Sequence, residues 1–179
     1  MAALLKLPEG KLSGILEEAA QGEIVTIANL NSPDQVVIAG NVGAVQRAVT
    51  LAKTAGAKRA VILPVSAPFH CPLMVPAQQS LAGDLDSATF SDLQIPLVNN
   101  WQAREVRSGA EARKGLYEQV PNPVRWEETI RFLIGQGVSQ FIEVGPGAVL
   151  TGLLRNIDSS VEGLKFREPG DWAEIEGRV

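Results

Sequence analysis

The sequence has one cysteine, Cys71, and one histidine, His70, in 179 residues. A lone cysteine excludes an intrachain disulfide and is the usage of a reducing, cytoplasmic compartment. One histidine and one cysteine leave too few soft ligands for a transition-metal site, so none is expected. No apolar run approaches the roughly 20 residues needed to cross a bilayer. The start, Met1 to Lys6, lacks the charged opening and long apolar stretch of a signal peptide, so no membrane association is expected. The formal net charge of -4 also removes the basic footprint expected of a nucleic-acid binder. What is present is apolar: hydrophobic residues make up 45% of the chain, enough for a real core.

The first third reads as strand, helix, strand, strand, helix, strand. Ala2 to Leu7 is a short apolar strand, broken by Pro8 and Gly10. Leu12, Ile15, Leu16 and Ala19 then fall at helical spacing, and Gln21-Gly22 ends that helix. Ile24 to Leu30 and Gln35 to Ala39 flank the turn cluster Asn31-Ser32-Pro33-Asp34, which predicts a hairpin. Val42, Val45, Val49 and Ala52 mark a second helix ending near Gly56, and Arg59 to Val65 is a further strand. This β-α-β-β-α-β order is the ferredoxin-like pattern.

The rest of the chain is α/β in character. Helices are predicted over Pro72 to Leu85 and Ala110 to Tyr117, and along the stripe Trp126, Ile130, Leu133, Ile134. Leu93 to Asn99 is a strand interrupted by Pro96, and Gln140 to Val144 reads as a buried strand. Gly145-Pro146-Gly147 turns the chain into a helix carrying Val149, Leu150, Leu153, Leu154 and Ile157. Residues 159–179 are polar and weakly patterned, and are expected to form a loosely structured tail.

Few residues offer chemistry. His70 follows a strand and two prolines, Pro64 and Pro68, which places it on a constrained loop. A neutral imidazole is the usual general base near neutral pH. Cys71 is its neighbour, but adjacent residues of an extended chain point to opposite faces, so Cys71 reads as a small buried residue. Ser66 lacks the glycine-flanked elbow that exposes a nucleophilic serine. Gly145-Pro146-Gly147 has neither the lysine nor the spacing of a phosphate loop and reads as a tight turn. Lys53, Lys58 and Arg59 form a small basic group, either simply solvated or facing an acidic partner.

Four segments, in order, carry a resemblance: Ile27 to Gly40; Pro64 to Met74, which contains Phe69-His70; Gln119 with Asn122-Pro123-Val124-Arg125-Trp126; and Phe141 to Gly147 followed by Val149-Leu150-Thr151-Gly152-Leu153. Together they resemble the malonyl-CoA:acyl carrier protein transacylases over about residues 1 to 157. The resemblance implies a ferredoxin-like subdomain over residues 1–64, the C-terminal part of an α/β-hydrolase-like acyltransferase core over 65–158, and the tail beyond. It implies His70 as general base, with the main-chain oxygen of Gln119 accepting from its other ring nitrogen. It further implies Asn31 and Phe69 at the substrate. The implied reaction moves a malonyl group from coenzyme A to the phosphopantetheine thiol of acyl carrier protein through an acyl-serine. The partners are then malonyl-CoA and acyl carrier protein, and no bound cofactor is expected.

The Gly-His-Ser-x-Gly elbow of that family is absent from the sequence. The resemblance implies that this serine, the arginine facing the malonyl carboxylate and the glutamine loop of the oxyanion hole lie upstream of Met1. The 179-residue chain is therefore expected to be inactive alone. A polyketide-synthase-type acyltransferase segment and a non-catalytic ferredoxin-like binding module are the alternative readings.

Overall fold

Alternating apolar residues build the first sheet in the computed structural model, which describes residues 1–178. Strand β1 (Ala2–Leu5) sends Ala2 and Leu4 to one face and Ala3 to the other. It lies between β3 (Gln35–Gly40) and β4 (Arg59–Ile62), antiparallel to both, and β2 (Val25–Ser32) completes the sheet on the far side of β3. The order is β2-β3-β1-β4. Helices α1 (Leu12–Ala20) and α2 (Val42–Thr54) complete the β-α-β-β-α-β succession read from the sequence.

Both helices cover one face of that sheet. Ile15, Ala19, Val45, Ala48 and Ala52 pack there with Leu4 and Ile38. Small residues on α2 let it approach closely, and Gly40 is required where β3 ends: a Cβ there would lie 2.0 Å from the Ile24 carbonyl oxygen. The opposite face of the sheet carries Ala3, Ala28, Val37 and Ala39, and these bury Cys71. The residue beside His70 is thus part of the core, which ties the loop to the sheet.

After a short 3-10 turn at Pro72–Met74 come α3 (Val75–Ser87), the two-residue strands β5 (Leu97–Val98) and β6 (Glu105–Val106), α4 (Gly109–Glu118) and α5 (Trp126–Gly135). The strand expected over Leu93 to Asn99 shrinks to Leu97–Val98, paired antiparallel with β6. Pro96 has no N–H to give to a ladder, and the strand begins after it. The strand expected to reach Val65 likewise stops at Ile62, ahead of Pro64.

The chain divides into two units, Met1–Thr129 and the remainder from Ile130. In the second unit, β7 (Gln140–Val144) leads through the glycine turn into α6 (Val149–Ile157). Gly145 and Gly147 have φ of 128° and 98°, values glycine alone adopts freely. The Glu143 carboxylate then caps α6, accepting from the backbone N–H groups of Leu150 (3.0 Å) and Thr151 (2.8 Å) and from the Thr151 hydroxyl. Burial pushes the Glu143 carboxyl up, but the hydrogen bonds from Thr151, Leu150 and Val149 together outweigh it and hold it below its ordinary range.

Two expectations fail in this unit. The stretch expected to be a loose tail, whose last residue, Val179, lies outside the described residues, holds regular structure: Glu162–Phe166 forms β8, parallel to β7, and Trp172–Glu176 forms α7. Leu164 and Ile175 are buried, and Phe166 meets Trp172 edge to face at 6.1 Å. This apolar anchoring is spread over residues too far apart to register as a local period. Nor is β7 a buried strand. It belongs to a sheet of two strands, and Ile142 and Val144 are 42% and 73% exposed. Parallel strands are ordinarily covered on both faces, and the Ile142–Val144 face of β7 is not. No helix among the described residues is long and apolar enough to cross a membrane.

Candidate active site

The site grows from the way helix α4 ends. Ser108 caps its start, its hydroxyl accepting from the Glu111 N–H at 3.1 Å. Gly109 sits so close to another segment that a Cβ would lie 2.4 Å from the Phe90 carbonyl oxygen. At the other end, the last carbonyls of any helix lack intrahelical partners. In α4 they find side chains. The Tyr117 oxygen accepts from Gln78 Nε2 at 3.1 Å, and the Glu118 oxygen accepts from Asn122 Nδ2 at 2.7 Å. The next carbonyl, that of Gln119, lies 2.9 Å from His70 Nδ1.

His70 is brought there by its own backbone. Its φ is 58°, in the left-handed region. For a residue with a Cβ this costs on the order of 1 kcal/mol. The neighbouring contacts hold it: the fully buried Cys71 is anchored in the core, its thiol donates to the Pro68 oxygen at 3.1 Å, and the Met74 N–H donates to the Cys71 oxygen at 2.9 Å. The segment that follows α4 is fixed as well. The Val124 N–H donates to the Ala28 oxygen and the Leu30 N–H to the Val124 oxygen, both at 2.9 Å, which clips Val124 to the edge of β2.

A carbonyl oxygen only accepts, so the hydrogen bond places the ring proton of a neutral His70 on Nδ1. Nε2 then keeps its lone pair. This arrangement suits an imidazole that takes a proton from a hydroxyl or thiol presented to Nε2. The ring is half-buried and the adjacent Phe69 is 40% exposed. Cys71 offers no competing nucleophile: burial pushes its thiol up, away from the reactive thiolate.

His70 and Gln119, named from the sequence 49 residues apart, therefore meet. Phe69 flanks His70 on the same loop. Asn31 lies at the end of β2, its Nδ2 donating to Gln35 Oε1 across the β2–β3 hairpin at 3.0 Å. The sequence reading did not single out Gln78, nor assign Asn122 a role of its own. A helical glutamine reads as solvated surface. Its burial, at 7% exposed, emerges only when α3 and α4 come together.

An imidazole whose Nδ1 is held by a main-chain oxygen presents Nε2 as a proton acceptor, as a general base requires. The chain belongs to the acyl transferase domain family, whose model matches residues 6–172. Within that family it is similar to the malonyl CoA-acyl carrier protein transacylase of Escherichia coli, 44% identical over 173 residues, which is 97% of this chain and 56% of the relative. The solved malonyl CoA-acyl carrier protein transacylase of Coxiella burnetii superposes with a TM-score of 0.95 at 40% identity, over 99% of this chain and 56% of that one. A malonyl-transacylase solved in complex with a type II polyketide-synthase acyl-carrier protein superposes with a TM-score of 0.92 at 42% identity, over 96% of this chain and 56% of that one. The chain thus spans a little over half the length of the relatives it matches.

Proposed function

We propose that this chain supplies the general-base portion of a malonyl-CoA:acyl carrier protein transacylase of fatty-acid synthesis. In this reading the serine comes from an elbow that these 179 residues do not contain. His70 Nε2 takes the serine proton as the hydroxyl attacks the thioester carbonyl, and coenzyme A leaves as its thiol. The same imidazole then takes the proton of the acyl carrier protein's phosphopantetheine thiol, which attacks the acyl-serine and restores the serine. The Gln119 oxygen holds the ring in the tautomer this needs, the part a carboxylate plays in other triads. Asn31 and Phe69 face the substrate. Residues 1–64 form the ferredoxin-like subdomain, and residues 65–158 belong to an α/β-hydrolase-like core.

The observation that carries this reading is the 2.9 Å approach of His70 Nδ1 to the Gln119 oxygen, in a chain with no other histidine. Acyl carrier protein as partner is supported by the similar malonyl-transacylase solved with one. That protein works with a polyketide-synthase carrier, so a polyketide role for this chain is the second reading. The test is covalent acylation. The 179-residue polypeptide incubated with malonyl-CoA should show no malonyl adduct by mass spectrometry, whereas the same chain joined to an elbow-bearing segment should show one on the elbow serine. An adduct on the polypeptide alone would overturn this division of labour.

A further inference from the structure

We infer that Gln78 and Asn122 are positioning residues that set the tautomer of His70 through the end of helix α4. The inference rests on the reading of His70 as the base. Three consecutive carbonyls, those of Tyr117, Glu118 and Gln119, each meet a side-chain nitrogen from a different segment: Gln78 on α3, Asn122 beyond the helix and His70 on its loop. Backbone support at this helix end is uneven: the Gln119 N–H donates to the Gly115 oxygen at 3.0 Å, but the Val120 N–H, in the same peptide as the Gln119 carbonyl, reaches the Tyr117 oxygen only at 3.4 Å. The direction of the Gln119 carbonyl therefore depends on the side chains that hold its two predecessors as well as on the Gln119 N–H bond to Gly115.

Gln78 is buried, so water cannot readily replace its amide. Without that donor the Tyr117 carbonyl must turn toward another N–H, and the terminal turn rotates with it. Asn122 acts from the other side. Its amide ties Glu118 to the segment that Val124 clips onto β2, so the helix end is referenced to the sheet that also buries Cys71. His70 and its acceptor are thus anchored to one scaffold by two routes. Loss of either amide donor should loosen the Nδ1–H bond and let the ring proton redistribute to Nε2, where the base needs a lone pair.

A single histidine makes the test clean, because 15N-histidine labelling of the full chain gives one pair of ring-nitrogen signals. The parent should be chiefly the Nδ1–H tautomer. Gln78→Leu and Asn122→Leu should each raise the Nε2–H fraction relative to Nδ1–H by roughly two- to tenfold, the range one net hydrogen bond commands. Asn122→Leu matches the side chain's size and removes the donor without adding a charge, so it carries the test if Gln78→Leu does not fold. A merely structural role would lower the melting temperature and leave the tautomer ratio of the folded variants unchanged, and that result overturns the inference. A parent that is chiefly Nε2–H would instead overturn the reading of His70 itself.

Discussion

The Nδ1 atom of His70 lies 2.9 Å from the main-chain oxygen of Gln119, so a backbone atom orients the imidazole, the place a carboxylate takes in a serine–histidine–aspartate triad. A carbonyl at a helix end cannot be removed by substitution. It can only be turned, which gives the supporting amides of Gln78 and Asn122 their importance.

Phe69 sets the first prediction. Its ring is 40% exposed beside His70, and a bulky side chain there should clash with a methyl branch on the acyl group. In a completed enzyme, Phe69→Ser should bring the malonyl to methylmalonyl ratio of kcat/KM toward unity, a loss of about 1–3 kcal/mol of discrimination. An unchanged ratio would remove Phe69 from the acyl pocket.

Acid behaviour of the second unit supplies another. The Arg167 guanidinium and N–H hydrogen-bond the Asp171 carboxyl and hold it down at about 2. Its folded value lies below its unfolded one, so its contribution to stability is complete above the ordinary aspartate range. It is lost as the pH falls through about 2. Carboxyl-detected NMR should find the Asp171 midpoint there and find it raised in Arg167→Ala, where only the backbone N–H bonds remain to hold it down. A midpoint near that of free aspartate in the parent would contradict the pairing.

Burial predicts an uneven hydrogen-exchange pattern. Ile38 and Ala39 on β3 are fully buried, whereas Val144 on β7 is 73% exposed in a sheet of two strands. Amides of β1 to β4 should be the most protected and those of β7 among the least. Equal, high protection in β7 would mean that the two-stranded sheet is stable as it stands.

How much of this was legible in the sequence follows from the range of the interactions. The first sheet and its helices were readable because Ile15, Ala19, Val45 and Ala52 repeat locally and Pro33-Asp34 marks a turn. Strand β8 was not, because Glu162 to Phe166 contains a glycine, alternates weakly and gains its pairing from β7. The exposure of β7 was hidden because an apolar run does not state what covers it. His70 and Gln119 came from motif resemblance rather than from any local period. The left-handed backbone of His70, a conformation sequence patterns assign to glycine, and the buried amide of Gln78 depend on distant segments meeting, the latter across 39 residues.

The central claim is that His70 is the proton acceptor in acyl transfer, and its most direct test is kcat/KM for malonyl transfer to acyl carrier protein in a completed enzyme bearing His70→Ala. The fold should survive, as judged by circular dichroism, because the imidazole lies outside the core that Cys71 anchors. The account predicts a fall of roughly 10²- to 10⁴-fold, the usual contribution of a general base. Activity within a few fold of the parent would contradict it.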